Sequence, residues 1–128
     1  MKKELKSQNA PGAIGPYSQA VKAGNFIYVS GQLPIDHKTG EMPDDIKEQT
    51  RLSLNNVKAI LAEAGATMDN VVKSTVYLAD MSLFGPMNEV YAEFFNGGIY
   101  PARAAFAVKE LPKQAKVEIE VVAFHCEG

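Results

Sequence analysis

Gln19-Ala20-Val21-Lys22-Ala23-Gly24-Asn25-Phe26-Ile27-Tyr28-Val29-Ser30 is the stretch on which the fold turns. Two β-prone runs flank Gly24-Asn25, a two-residue hairpin signal of the inverted-turn kind. The second run, Phe26-Ile27-Tyr28-Val29, is apolar at every position. It therefore reads as a central strand or one covered on both faces. Upstream, residues 9 to 18 are rich in Pro and Gly and read as an ordered loop. Downstream, Pro34 to Pro43 forms another loop, with a turn at His37-Lys38-Thr39-Gly40.

The periodicity then changes from strand to helix. Asp45 and Glu48 have capping-box spacing. Ile46, Thr50, Leu54, Val57, Leu61 and Ala64 recur at helical intervals until Gly65. Val71 to Ala79 is a strand, with Val72, Ser74, Val76 and Leu78 on one face and Lys73, Thr75 and Tyr77 on the other. A second helix starts near Ser82 as N-cap, and Pro86 falls within its first turn, where proline is tolerated. Phe84, Met87, Tyr91 and Phe94 form its apolar stripe, with Phe95 at the edge, and Gly97-Gly98 stops it. Two strands follow, about Ala102 to Val108 and Val117 to Phe124. With a pairing N-terminus the order is β-β-β-α-β-α-β-β. This is an α+β chain with a mostly antiparallel mixed sheet of five or six strands and two helices on one face. The other face, with Thr75, Tyr77, Val122 and Phe124, is too apolar to remain wet, and a second subunit is the expected cover.

The 128 residues suit one domain, 1–128. A net charge of −2 argues against a nucleic-acid partner, whose phosphates need a clustered basic surface. The single Cys126 precludes an intrachain disulfide and fits a reducing compartment. No apolar run approaches membrane-spanning length, and the N-terminus lacks a signal-peptide core. The expected location is cytoplasmic.

The chemistry centres on Arg103, set among small residues in Pro101-Ala102-Arg103-Ala104-Ala105 with no obvious ion-pair partner close in sequence. A guanidinium grips a carboxylate through two parallel hydrogen bonds. Glu118 and Glu120 share one face of the last strand and are the acids available to handle a proton or water. The competing reading leaves all three on solvated strand faces. His37 and His125 have no patterned Ser or Cys partner for nucleophilic catalysis. No metal-ligand spacing occurs, and the glycines fit neither a dinucleotide nor a phosphate loop. Gly31, in Ser30-Gly31-Gln32, either admits a ligand to the backbone or marks a bulge. Tyr17 either walls a pocket or caps the core. Asn88, near the start of the second helix, is a surface residue unless it faces a cleft.

The block Ala10-Pro11 through Ile14-Gly15-Pro16-Tyr17-Ser18-Gln19 resembles the RidA (YjgF) family. So do Val29-Ser30-Gly31-Gln32-Leu33-Pro34, Asn55-Asn56-Val57-Lys58-Ala59-Ile60, Asn88-Glu89-Val90-Tyr91, Pro101-Ala102-Arg103-Ala104 and Val117-Glu118-Ile119-Glu120. The likeness runs almost end to end. It implies a chorismate-mutase-like homotrimer with clefts between subunits and no cofactor or metal. It also implies an enamine/imine deaminase that hydrolyses reactive 2-iminoacids, formed from 2-aminoacrylate or 2-aminocrotonate, to 2-ketoacids and ammonia. On that resemblance Arg103 holds the substrate carboxylate, Glu118 positions and activates water, and Tyr17, Gly31 and Asn88 line the cleft with the backbone of Ala105. Many members carry Ser-Cys after the arginine, where this chain has Ala104-Ala105, so rate and specificity are the properties open to change. The alternatives are a non-catalytic or regulatory binder of small carboxylates and an RNA-directed activity. The acidic balance and the missing histidine pair weigh against the last.

Overall fold

A computed structural model describes residues 1–126 of the chain. The strands are β1 (Lys2–Leu5), β2 (Ala20–Ala23), β3 (Phe26–Gln32), β4 (Val71–Leu78), β5 (Ala102–Ala107) and β6 (Val117–Phe124). Helix α1 (Ile46–Ala62) precedes β4, and α2 (Phe84–Phe94) connects β4 to β5. The six strands form one mixed sheet in the order β1-β2-β3-β6-β4-β5. Only β4 and β5 run parallel, as the intervening helix allows.

The hairpin forms as the sequence indicates. Ala23 pairs with Phe26, and Gly24 takes φ +61° while Asn25 does not, the pattern of a type II′ turn. Leu5 pairs with Ala20, so the extreme N-terminus does join the sheet. β3 is central, between β2 and β6, but one of its faces is open in the single chain. Ile27 and Val29 are buried under α1, whereas Phe26 and Tyr28 are exposed.

Both helices cover the same sheet face. α1 is capped by Asp45, whose Oδ2 accepts from the Glu48 amide at 3.1 Å, a device worth about 1 kcal/mol. The Glu48 carboxylate does not complete the box and turns to Arg51 at 2.7 Å. Leu54, Val57, Ile60 and Leu61 meet Val117, Ile119, Val121 and Ala123 of β6 in the core. Each large aliphatic side chain buried there stabilises the fold by about 1.5–3 kcal/mol.

Two local expectations change. Plain alternation puts Val72 on one face with Ser74, Val76 and Leu78, but a bulge between Val71 and Lys73 reverses it. Val71 is buried and Val72 is 45% exposed. The second helix is preceded by a short 3-10 turn, Met81–Leu83, capped by Asp80; Ser82 lies inside that turn, and α2 itself starts after Leu83 with no side-chain cap. The Asp80 carboxylate accepts from the Ser82 amide at 2.8 Å, which holds its pKa below the usual value. The buried stripe of α2 is Met87, Val90 and Tyr91, continued by Phe95; Phe84 and Phe94 are half-buried.

The open face carries Phe26, Tyr28, Tyr77, Phe106 and Phe124 with Glu118 and Glu120. Phe26 and Phe124 meet edge to face at 5.2 Å, as do Tyr77 and Phe106 at 5.4 Å. The predicted apolar face is therefore present, and aromatic residues dominate it.

Candidate functional site

Two cavities hold the residues singled out in the sequence, and they lie on opposite sides of the sheet. The first, about 640 Å³, is bounded by Tyr17, Gly31, Glu118 and Lys113, with an apolar wall that includes Ile14 and Leu33. Its shape depends on how residues 7 to 19 are held. Buried Gln19 accepts from the Ser7 amide at 2.7 Å and donates to the Pro11 carbonyl at 2.7 Å. The Ser30 hydroxyl donates to the Ser18 carbonyl at 2.6 Å. These bonds fix the loop against β3 and set Tyr17 at the cavity wall. The Tyr17 hydroxyl accepts from the Ile14 amide at 3.3 Å.

Gly31 sits within a register shift of β3 against β6, so the bulge reading holds. It also has the second property. A Cβ at Gly31 would lie 2.6 Å from Glu118 Oε2, so the missing side chain leaves room for that carboxylate to lie over the β3 backbone. Burial, and next the charge of Glu120, push the Glu118 pKa above the ordinary glutamate value. Glu120 is engaged elsewhere, accepting a hydrogen bond from the Tyr77 hydroxyl. Lys113 reaches the same cavity from a turn in which Lys113 and Gln114 have φ of 58° and 57°. Left-handed backbone at a non-glycine residue costs roughly 1–2 kcal/mol.

The second cavity, about 390 Å³, lies beneath edge strand β5 and is bounded by Asn88, Tyr91, Tyr100, Pro101 and Arg103. Arg103 is opposite Ser74 in the parallel register, so its side chain projects onto the helix face. There Nη1 donates to Asn88 Oδ1 at 2.7 Å. The guanidinium lies 4.6 Å from the centre of the Tyr91 ring and 5.4 Å from that of Phe84. The Tyr91 hydroxyl is bonded to Ser74 Oγ at 2.6 Å, which fixes the ring beneath the cation. Among the described residues no carboxylate pairs with Arg103. Ala105 is on the same face as Arg103 and packs against the core.

The resemblance puts Arg103 and Glu118 in one cleft between subunits, and within a single chain the two do not meet. β4 lies between β5 and β6, and the register sends Arg103 toward α2 and Glu118 toward the open face. The structure groups Tyr17, Gly31 and Glu118 around one cavity and Asn88 and Arg103 around the other. The sequence places Tyr91 and Phe84 in the apolar stripe of α2 and gives them no role at a site. Their spacing with Asn88, at positions 84, 88 and 91, puts all three on one helix face and was the signal available. Lys113 had no signal beyond its turn. Among the described residues no group of three or more His, Cys, Asp or Glu side chains is placed to hold a metal ion.

Residues 7–125 match the family model described as endoribonuclease L-PSP, the family of the YjgF/RidA proteins. The chain belongs to this family. A RutC family protein of Pyrococcus horikoshii is 56% identical over 125 residues, covering 97% of this chain and 98% of the relative. The 2-iminobutanoate/2-iminopropanoate deaminase of Escherichia coli is 46% identical, with 96% and 98% covered. Among solved structures, E. coli TdcF with bound serine superposes with a TM-score of 0.94 at 45% identity, covering 97% of this chain and 99% of that one. The RidA fold, a six-stranded mixed sheet with two helices, is thus shown by sequence and structure together.

Proposed function

We propose that this RidA-family chain is an enamine/imine deaminase working as a homotrimer. Each cleft would unite the Arg103 half-site of one copy with the Glu118 half-site of the next. One observation carries the reading: Arg103 is oriented by Asn88 and two aromatic rings but paired with no acid among the described residues. A guanidinium so prepared suits a ligand carboxylate, with Nη2 and Nε still available. The rims support assembly, since Ile14 beside Glu118 and Tyr100 beside Arg103 are both largely exposed. The naming of a 46% identical relative as an iminoacid deaminase supports the reaction class, and serine bound to TdcF supports a small α-amino-acid-like ligand.

The chemistry asks little of the protein. The iminium carbon beside a carboxylate is already electrophilic, so catalysis reduces to orienting the acid and placing one water. Arg103 holds the carboxylate. Glu118 takes a proton from water as the oxygen adds to the iminium carbon, and the C=N electron pair moves to nitrogen. Glu118 then returns that proton to the amine. As the C–N bond breaks, Glu118 accepts the hydroxyl proton and passes it to the departing ammonia, leaving a 2-ketoacid and ammonium. A positioned base or acid contributes about 10²- to 10⁴-fold. Tyr17, Gly31 and the Ala105 backbone line the cleft, which needs neither cofactor nor metal, and the protein works in the cytoplasm on a small-molecule substrate.

The test is ketoacid release from imines generated in situ by an amino-acid oxidase. Arg103→Ala should lose most activity, and Arg103→Lys should restore little because the planar fork is gone. Wild-type activity in Arg103→Ala would refute the anchor. The serine-bound relative also favours a second reading, a non-catalytic binder of small carboxylates. Ligand binding without accelerated hydrolysis, together with a harmless Glu118→Gln, would select it.

A further inference from the structure

The open sheet face carries two carboxylates two residues apart, and they lean in opposite directions. Glu118 lies over Gly31 of β3, on one side of β6. Glu120 is drawn to the other side by the hydroxyl of Tyr77 on β4. The Tyr77 bond is not the one that register alone would give. Its partner directly across the ladder is Glu118, whereas Glu120 is opposite Thr75. The hydroxyl therefore takes the diagonal path, and the ring is held for it edge to face against Phe106, at 5.4 Å and 88°.

We propose that Tyr77 is a positioning residue that pins Glu120 against β4 and so keeps Glu118 as the free carboxylate of its cavity. This rests on the deaminase reading, in which Glu118 handles the water proton. Within its own chain the ionisable groups around Glu118 are Tyr77 on β4, Glu120 on β6, and Tyr17 and Lys113 from the loops that bound the cavity, and of these Glu120 is the one whose charge bears on Glu118, adding to the effect of burial. In the proposed cleft Arg103 of the next copy also faces Glu118, and its opposing effect is common to every variant compared below. The bond to Glu120, then burial, push the Tyr77 hydroxyl up to about 12, so it remains a donor throughout the working range. Released from Tyr77, Glu120 is free to approach Glu118, and two carboxylates sharing one face lose a proton less readily.

Tyr77→Phe deletes the hydroxyl and keeps the ring that packs on Phe106. Glu118 is titrated by carbon-13 NMR of its carboxyl in the full chain, alongside the pH profile of imine hydrolysis. In Tyr77→Phe the Glu118 titration and the acidic limb of the profile should both rise by about half a pH unit, the size expected of a solvated neighbouring charge. Glu120→Gln should move both the other way, and Tyr77→Phe combined with Glu120→Gln should titrate like Glu120→Gln alone. An unmoved Glu118 titration in Tyr77→Phe overturns the proposal. The NMR titration needs no turnover, so a protein that hydrolysed no imine would refute the deaminase reading while this positioning role was still decided.

Discussion

Gly31→Ala isolates the placement of Glu118 from everything else the site does. Gly31 is not among the left-handed residues, so the backbone does not forbid alanine there. What alanine meets is the Glu118 side chain, with Oε2 at 2.6 Å, Cδ at 3.0 Å and Cγ at 3.2 Å from the new Cβ. Ordinary contact begins near 3.4 Å, so the carboxylate must retreat by about 0.8 Å. It has an open cavity to retreat into, so the fold should survive with little change in melting temperature. Misplacing a reacting group by about 1 Å can cost roughly 10²-fold in rate, or about 2.7 kcal/mol of barrier. The imine assay should therefore show kcat down about 10²-fold with KM nearly unchanged, because the Arg103 anchor is untouched. In a Glu118→Gln background the same substitution should cost much less, since both changes act through one carboxylate. Wild-type kcat in Gly31→Ala, or a full additive loss in the double variant, would refute the role given to that contact.

Two further outcomes follow from the same geometry. Because the folded Glu118 holds its proton more tightly than the unfolded chain does, it favours the fold at acid pH. That contribution disappears as pH rises from the unfolded to the raised folded value. Glu118→Gln should thus lose most of its activity yet melt higher than wild type at pH 7, and melt alike at a pH below the unfolded value; thermal scans at the two pH values decide it. Buried Asn56 donates to the carbonyls of Leu33 and Ile35 at 3.2 and 3.0 Å and ties the cavity wall to α1. Asn56→Ala should lower stability by about 2 kcal/mol in urea unfolding, since it leaves both carbonyls without that donor.

The elements of this fold were legible because each declares itself locally. Gly24-Asn25 makes the hairpin, Asp45 caps α1, and Gln19 to Ser30 contains both partners of one strand pair. Within β6, strict alternation was enough to place Glu118 and Glu120 on one face. The neighbour order was not legible, because alternation says which residues of a strand share a face but not which strand lies beside it. Hence β4 between β5 and β6 was unforeseen, and with it the separation of Arg103 from Glu118. The bulge at Val71 and Val72 escaped for a related reason: one extra residue reverses parity with no change in composition. The contacts that shape the site are long-range. Gly31 beneath Glu118, Tyr77 on Glu120 and Asn88 on Arg103 each require the folded register, so residue types alone could nominate them but not pair them.

Arg103→Ala and Glu118→Gln each remove one half-site and leave the other intact, so the decisive measurement mixes them. The two impaired variants are unfolded together at equal amounts, refolded and assayed for ketoacid release. If each cleft draws its arginine and its glutamate from different copies, about one quarter of the clefts in a randomly mixed assembly regain both groups, and activity returns to about that fraction of wild type. If mixing restores nothing while each variant alone assembles normally, the two half-sites do not meet across copies, and the proposed cleft does not exist.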